Sequence, residues 1–214
     1  MFDPPKELVF GLDIGQKRDP TAIAVAELER REVNARTEVH FTVRHLERLP
    51  LGTPYPAVAK RFAEVVYGAH DKIKDEWHWL SVATLYVDAT GVGQPVIDLL
   101  REHITDWRVS EVYFTYGDRR NEAFEGAIQR VSLGKAYLVS RLQALLQTGR
   151  LQIPKNHREA DALVQELLDY EIRVDENAND RYGAFRVGTH DDLVTALGLA
   201  VQADRPLRYY AGVW

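Results

Sequence analysis

Three acidic positions in the sequence stand where carboxylates can do metal chemistry. Asp13 follows the apolar run Leu8-Val9-Phe10-Gly11-Leu12, and Asp88 closes a second, Ser81-Val82-Ala83-Thr84-Leu85-Tyr86-Val87. Asp191 and Asp192 stand together before a third apolar stretch, residues 193–201, with His190 one step earlier. A continuous apolar run of this length reads as a strand buried on both faces. Open α/β sheets gather their ligands at the carboxyl ends of parallel strands. If the two strands are parallel neighbours, Asp13 and Asp88 emerge side by side, and a final helix packed on the sheet brings a third carboxylate to them. Two carboxylates about 4 Å apart repel by on the order of 4 kcal/mol at an effective dielectric near 20. Holding hard cations offsets that cost, and oxygen-only ligands with open positions suit Mg²⁺ or Mn²⁺. Two such ions, roughly 3.5–4 Å apart, serve the in-line attack of water on a phosphodiester.

Each acid also has a plainer reading. A lone Asp at a strand end is ordinarily a turn residue or a cap, and Thr189-His190-Asp191-Asp192 fits the capping box [ST]-x-x-[DE]. The three sites falling in order on strand, strand and helix favours the cluster. Helical phase separates the adjacent pair. Asp192 shares its face with Ala196, Leu199 and Ala203, an apolar side expected to lie on the sheet. Asp191 shares its face with Thr195, Gly198 and Gln202, which reads as the wetter side. Asp192 is therefore the expected direct ligand. Asp191 is expected to favour the helix dipole, reach an ion through water or position the attacking water. His190 is placed to assist a proton transfer or hold a phosphate.

The elements that must position these residues follow from periodicity. Strands are expected at residues 8–14, 21–28 and 38–44, joined by short connections as an antiparallel meander. A helix over about 53–78 carries Val58, Phe62, Val65 and Val66 at helical spacing. Strand, helix and strand over 81–114 form a parallel βαβ unit, with Gly91-Val92-Gly93 as the tight turn beside Asp88. That turn lacks the third glycine of a dinucleotide loop, since Val96 stands there, and reads as a sharp bend that lets phosphate approach the backbone. Residues 116–133 are polar and without clean period, and read as mostly loop. Helices are expected at 134–147, 157–170 and 189–203, with a short extended piece at 151–154, a hairpin over 171–187 and a frayed tail.

Composition bounds the function. The chain has 214 residues, 45% hydrophobic and 28% charged, as a soluble globular chain of one domain would. It has no cysteine, which excludes disulfides, thiolate metal sites and cysteine nucleophiles. Neither a signal peptide nor a membrane-length apolar run is present, so the expected compartment is the cytoplasm and no membrane partner is expected. The net charge of −5 argues against a general nucleic-acid glue. Residues 117–160, however, carry eight bases against four acids, a local +4. Arg119, Arg120, Arg130, Lys135 and Arg141 are candidates for a phosphate track leading DNA to the acidic site, although a solvated surface explains such a segment equally well.

The ordered motifs resemble one family. Gly11-Leu12-Asp13-Ile14-Gly15 with Asp19-Pro20-Thr21-Ala22, then Tyr86-Val87-Asp88-Ala89-Thr90-Gly91-Val92-Gly93, then His190-Asp191-Asp192-Leu193-Val194 are similar to the nuclease domain of tailed-phage terminase large subunits. Gly149-Arg150-Leu151-Gln152-Ile153-Pro154 also resembles a stretch of these domains, and the likeness runs from about Leu8 to Ala203. The resemblance implies an RNase H-like α/β fold: a mixed five-stranded sheet, three antiparallel strands and then parallel ones, flanked by helices, plus the late hairpin. It implies a two-metal endonuclease cutting double-stranded concatemeric viral DNA during bacteriophage genome packaging, inside the host cell. By position, two Mg²⁺ or Mn²⁺ ions would be held by Asp13, Asp88 and Asp192, with Asp191 and His190 nearby. It also implies a packaging ATPase domain, small terminase and portal proteins as partners. No Walker A motif is present: the Gly134-Lys135 pair has Gln129 and Ala136 at the other required positions. The sequence thus reads as an RNase H-like domain spanning 1–214, either excised or free-standing. A Holliday-junction-resolvase-like nuclease and a non-catalytic DNA-binding module of the same fold are the rival readings. A sugar-kinase-like phosphotransferase is a further rival, but it needs a second, duplicated half for which the chain is too short.

Overall fold

The computed structural model describes residues 7–15, 19–73, 83–91, 94–126, 128–174, 180–183 and 190–203. Three long strands open the chain: β1 (Glu7–Asp13), β2 (Ala22–Val33) and β3 (Arg36–Arg48). They pair as the expected antiparallel meander. The β2–β3 link is a two-residue turn with positive φ at both Asn34 and Ala35, the geometry that matches strand twist in tight hairpins. Helix α1 (Tyr55–Ile73) crosses to β4 (Ala83–Asp88), which pairs parallel with β1. Helix α2 (Gln94–His103) then leads to β5 (Val109–Thr115), parallel to β4.

The expected loop over 116–133 is a hairpin instead. β6 (Arg120–Glu125) pairs antiparallel with β7 (Ile128–Gly134), and β7 joins the sheet parallel to β5. Only Val131 and Leu133 of β7 are fully apolar and buried, while β6 is exposed along nearly its whole length. An edge hairpin needs so little apolar sequence because backbone pairing to β5 supplies its order. Helix α3 (Lys135–Gln147) ends at Gly149, whose φ of 67° lets the chain turn into β8 (Leu151–Gln152) on the far edge beside β3. The sheet therefore has eight strands rather than five, in the order β6-β7-β5-β4-β1-β2-β3-β8. Helix α4 (Ala160–Asp169), the separate pair β9 (Glu171–Val174) and β10 (Asp180–Gly183), and α5 (Asp192–Ala200) complete the chain. The tip of the expected late hairpin, the Gly91-Val92-Gly93 turn beyond Gly91, Thr189 and the tail from 204 lie outside the described residues. No described helix is long and apolar enough to cross a membrane.

Strand alternation divides the core. Leu8, Phe10 and Leu12 face α1 and α2, with Leu85 and Val87 beside them. Val9 and Tyr86 lie on the opposite face, with α3, α4 and α5. Side chains alternate with period two, so Asp13 belongs to the Val9 face and Asp88 to the Tyr86 face, which is the α5 side. In register, Leu12 stands opposite Val87, which sets Asp13 and Asp88 one step beyond as neighbours.

Helix α5 is buried along every residue. Thr195, Gly198 and Gln202, expected on a wetter side, are covered as well. The physical reason is that α5 is wrapped by β1 and β2 on one side and by α3 and α4 on others. Gly11 makes the closest approach possible: a Cβ there would lie 2.0 Å from the Ala196 carbonyl oxygen and 2.7 Å from the Ala200 nitrogen. Both are backbone atoms and cannot swing aside. Gly11→Ala is expected to destabilise the protein by about 3 kcal/mol, the upper part of the overpacking range, read as a lowered urea midpoint. A midpoint unchanged from wild type would show that α5 does not rest on β1 at this spot.

Candidate metal centre

One cleft takes in the ends of β1 and β4 and the start of α5. Asp13, Asp19, Asp88, Asp191 and Asp192 line it, with Ile14, Gly15, Phe114, Lys135 and Thr195. Asp13 is the last residue of β1 and Asp88 the last of β4, as strand ends require of cleft residues. Thr90 ties Asp88 down: its backbone N–H donates to Asp88 Oδ1 at 2.8 Å, while its Oγ1 accepts from the Phe114 N–H at 2.8 Å. That links the β4 end to β5.

The start of α5 differs from the capping-box expectation. Asp191 holds the cap position and makes no side-chain cap hydrogen bond, and Asp192 is the first helical residue rather than the third. Asp192 therefore has no capping duty. It is buried, and its Oδ2 has no hydrogen-bond partner. The nearest cations stand off at ion-pair distance, Arg48 Nε at 3.7 Å and His190 Nδ1 at 3.6 Å. Gly183, at the end of β10, backs onto the neighbouring acid: a Cβ there would fall 2.8 Å from Asp191 Oδ2.

Crowding and burial raise the carboxyls. Burial first, then the charges of Asp88, Asp192 and Asp191, push Asp13 well above the usual carboxylate range, with Lys135 opposing. Burial also raises Asp88, against hydrogen bonds from Thr90 and the charge of Lys135. Asp192 is pushed up to about 7 by burial, with Asp191 and Asp19 adding and Arg48 opposing. A buried Asp192 oxygen without a hydrogen bond, beside two further acids of the cleft, fits a hard divalent cation, and one ring nitrogen is at hand in His190. Asp19, His190 and Asp192 each offer a ligand atom, all within 4.8 Å of one another.

Asp19 was not among the residues expected to hold metal. It is exposed, in the turn between β1 and β2, six residues after Asp13. The signal was present in the Asp19-Pro20-Thr21 motif, but nothing local shows that Asp19 comes within reach of Asp192, at the other end of the chain. The basic candidates separate. Lys135 comes to the cleft, over the Phe114 ring at 5.4 Å. Arg119 is exposed, and its carbonyl accepts from the Gly134 N–H at 2.7 Å, which sets it beside the start of α3. Arg120 is mostly covered and pairs with Glu122 at 2.6 Å. Arg130 pairs with Glu111 at 3.1 Å and with Glu125. Arg141 donates to the Val201 carbonyl at 2.5 Å, at the opposite end of α5 from the acids.

With this geometry in hand, comparison with known proteins decides the family. The family described as the terminase RNaseH-like domain matches residues 57–204. The chain belongs to this terminase family. The terminase fold extends beyond the matched segment. The large terminase nuclease of thermophilic phage G20c, solved with bound magnesium, aligns over 93% of this chain and 82% of its own, at 19% identity and a TM-score of 0.58. The human cytomegalovirus terminase nuclease domain, soaked with manganese, aligns over 92% of this chain and 83% of its own, at 14% identity and a TM-score of 0.54. The nuclease domain of Thermus phage P74-26 large terminase gives 17% identity and a TM-score of 0.53. At such identities the likeness establishes the RNase H-like fold. No curated protein matches the chain.

The raised Asp192 carboxyl gives a pH dependence with a definite sign. Below about pH 4 the side chain is protonated in the folded and unfolded chain alike, and it costs nothing. Between about pH 4 and 7 the folded protein keeps a proton that the unfolded chain releases, so stability falls as pH rises. In EDTA, Asp192→Asn is expected to match wild type near pH 4 and to exceed it by roughly 2–4 kcal/mol at pH 8. Thermal melts across that range measure it; a difference independent of pH would place the carboxyl in an ordinary environment.

Proposed function

We propose that this terminase domain is a Mg²⁺- or Mn²⁺-dependent endonuclease that hydrolyses phosphodiesters of double-stranded DNA. The observation that carries the reading is the cleft of five aspartates from two strand ends, one turn and one helix start, with a buried Asp192 oxygen that accepts no hydrogen bond. Asp13, Asp88, Asp191 and Asp192 would hold two ions, and Asp19 and His190 stand close enough to Asp192 to complete one ligand set. Divalent ions held there supply the Lewis acidity that activates water and offsets charge on the phosphoryl oxygens.

The chain's own residues do the rest. Asp13 and Asp88 sit on adjacent parallel strands, so their separation is fixed by sheet spacing rather than by flexible loops. Thr90 fixes the Asp88 carboxylate where it lines the cleft. His190, partly exposed beside Asp192, can take or give the proton of the hydrolytic step. Lys135 places a cation against the acids, where an incoming phosphate would meet it, and Arg119 stands next on the surface. Arg120, Arg130 and Arg141 already have protein partners and contribute less to such a track. In the cell this activity would cut viral DNA concatemers during packaging, alongside a packaging ATPase, a small terminase and a portal.

Supercoiled plasmid incubated with Mn²⁺ or Mg²⁺ is expected to become nicked, then linear, then shorter, without ATP. EDTA, Asp13→Asn and Asp192→Asn should each abolish cutting, whereas Asp191→Asn keeps a measurable fraction. Full activity in EDTA overturns the metal reading, and preference for a four-way junction over plain duplex moves the assignment to a resolvase. For the DNA track, Arg119→Ala with Lys135→Ala should reduce the slope of log affinity against log salt by about two, since each phosphate left without its cation removes about one. A slope unchanged by that pair but reduced by about one by Arg130→Ala would put the track on β7 instead.

A further inference from the structure

Helix α5 starts in a way that its own residues do not explain. The second and third amides of a helix are normally satisfied by the side chain at the cap position. Asp191 occupies that position, and its carboxylate is not spent there. Both amides go instead to a side chain 27 and 28 residues earlier: Glu166 Oε2, on α4, accepts from Leu193 N–H at 2.9 Å and from Val194 N–H at 3.1 Å. Its other oxygen pairs with Arg48, the last residue of β3. Arg48 in turn places Nε 3.7 Å from Asp192 Oδ2. Glu166 is 5% exposed, so its charge is out of water and must be held by these partners.

We propose that Glu166 is a positioning residue for the metal cleft: it caps α5 from outside, and so lets Asp191 and Asp192 face the cleft instead of turning back onto the helix. It also shares Arg48, holding that guanidinium on its own Oε1 and leaving Asp192 Oδ2 only a long contact of 3.7 Å, so that Arg48 competes less with a cation for that carboxylate. Other buried glutamates differ. Glu111 is fully covered, but its partners are Arg101, Arg130 and Tyr113, away from the acids of the cleft.

This inference rests on the nuclease reading and is tested separately from it. Glu166→Gln keeps the shape and loses the charge that holds Arg48. Removing a group that supports metal ligands typically weakens metal binding roughly 10- to 100-fold. The expected result for the full chain is Mn²⁺ affinity lowered by about that factor in calorimetry, kcat for plasmid cleavage reduced, KM for DNA unchanged, and faster hydrogen exchange at the Leu193 and Val194 amides. Should Glu166→Gln not fold, Glu166→Asp keeps the charge but is one methylene too short to hold both amides and Arg48 together, and the same changes are expected. A folded variant that binds Mn²⁺ and turns over as wild type does overturns the positioning role alone. Wild-type protein that neither binds Mn²⁺ nor cuts DNA overturns the nuclease reading and this inference with it.

Discussion

Mutual repulsion among buried carboxylates is the constraint around which this molecule is built. Asp13, Asp88, Asp191 and Asp192 share one cleft; burial raises the pKa values of Asp13, Asp88 and Asp192, and the charges of neighbouring acids raise Asp13 and Asp192 further. At an effective dielectric near 20, two ionised carboxylates some 4 Å apart repel by on the order of 4 kcal/mol. A flexible scaffold would relieve that cost by letting the acids separate. Here they cannot, because Asp13 and Asp88 are the terminal residues of hydrogen-bonded strands and Asp192 begins a helix buried on all sides. Rigid backbone thus stores an arrangement that a divalent cation relieves.

The supports of the cleft reach well beyond it. Gly11 lets α5 approach β1 to backbone contact, which sets the depth of the helix against the sheet. Glu166 and Arg48 close the helix N-terminus from α4 and β3, and Arg141 closes its other end from α3. Thr90 links Asp88 to β5. Asp88 and the start of α5 are therefore fixed by elements other than their own, as second-layer contacts fix the ligands of metal sites in general.

Basic charge is distributed by the same logic. Of the basic residues expected to guide DNA, Arg120, Arg130 and Arg141 are absorbed into pairing within the fold, while Lys135 stands at the cleft and Arg119 beside it. The edge hairpin of β6 and β7 explains the division. By pairing with β5 it brings Gly134 under the chain at Gly117, where a Cβ would lie 2.1 Å from the Gly117 carbonyl oxygen. That crossing puts the start of α3, and Lys135 with it, over the acids.

The sequence by itself determined the strands that carry Asp13 and Asp88 and the helix that carries Asp192. Apolar runs of the right length and period dictate those elements without help from the rest of the chain, and motif order pointed to the acids. Three things needed the tertiary structure. Residues 120–125 and 128–134 pair as strands only because β5 offers an edge, since their own pattern is too polar and too short to announce it. The Thr195 side of α5 is buried because two strands and two helices surround the helix, whereas periodicity weighs one helix alone. Asp19 comes within reach of Asp192 from the other end of the chain, and Glu166 reaches the α5 amides from 27 and 28 residues earlier, on a helix packed against α5. Local pattern fixes which face of an element is apolar. Which polar group meets which is decided by long-range packing, and a carboxylate carries the same signal in the sequence whether it binds metal, caps a helix or meets only water.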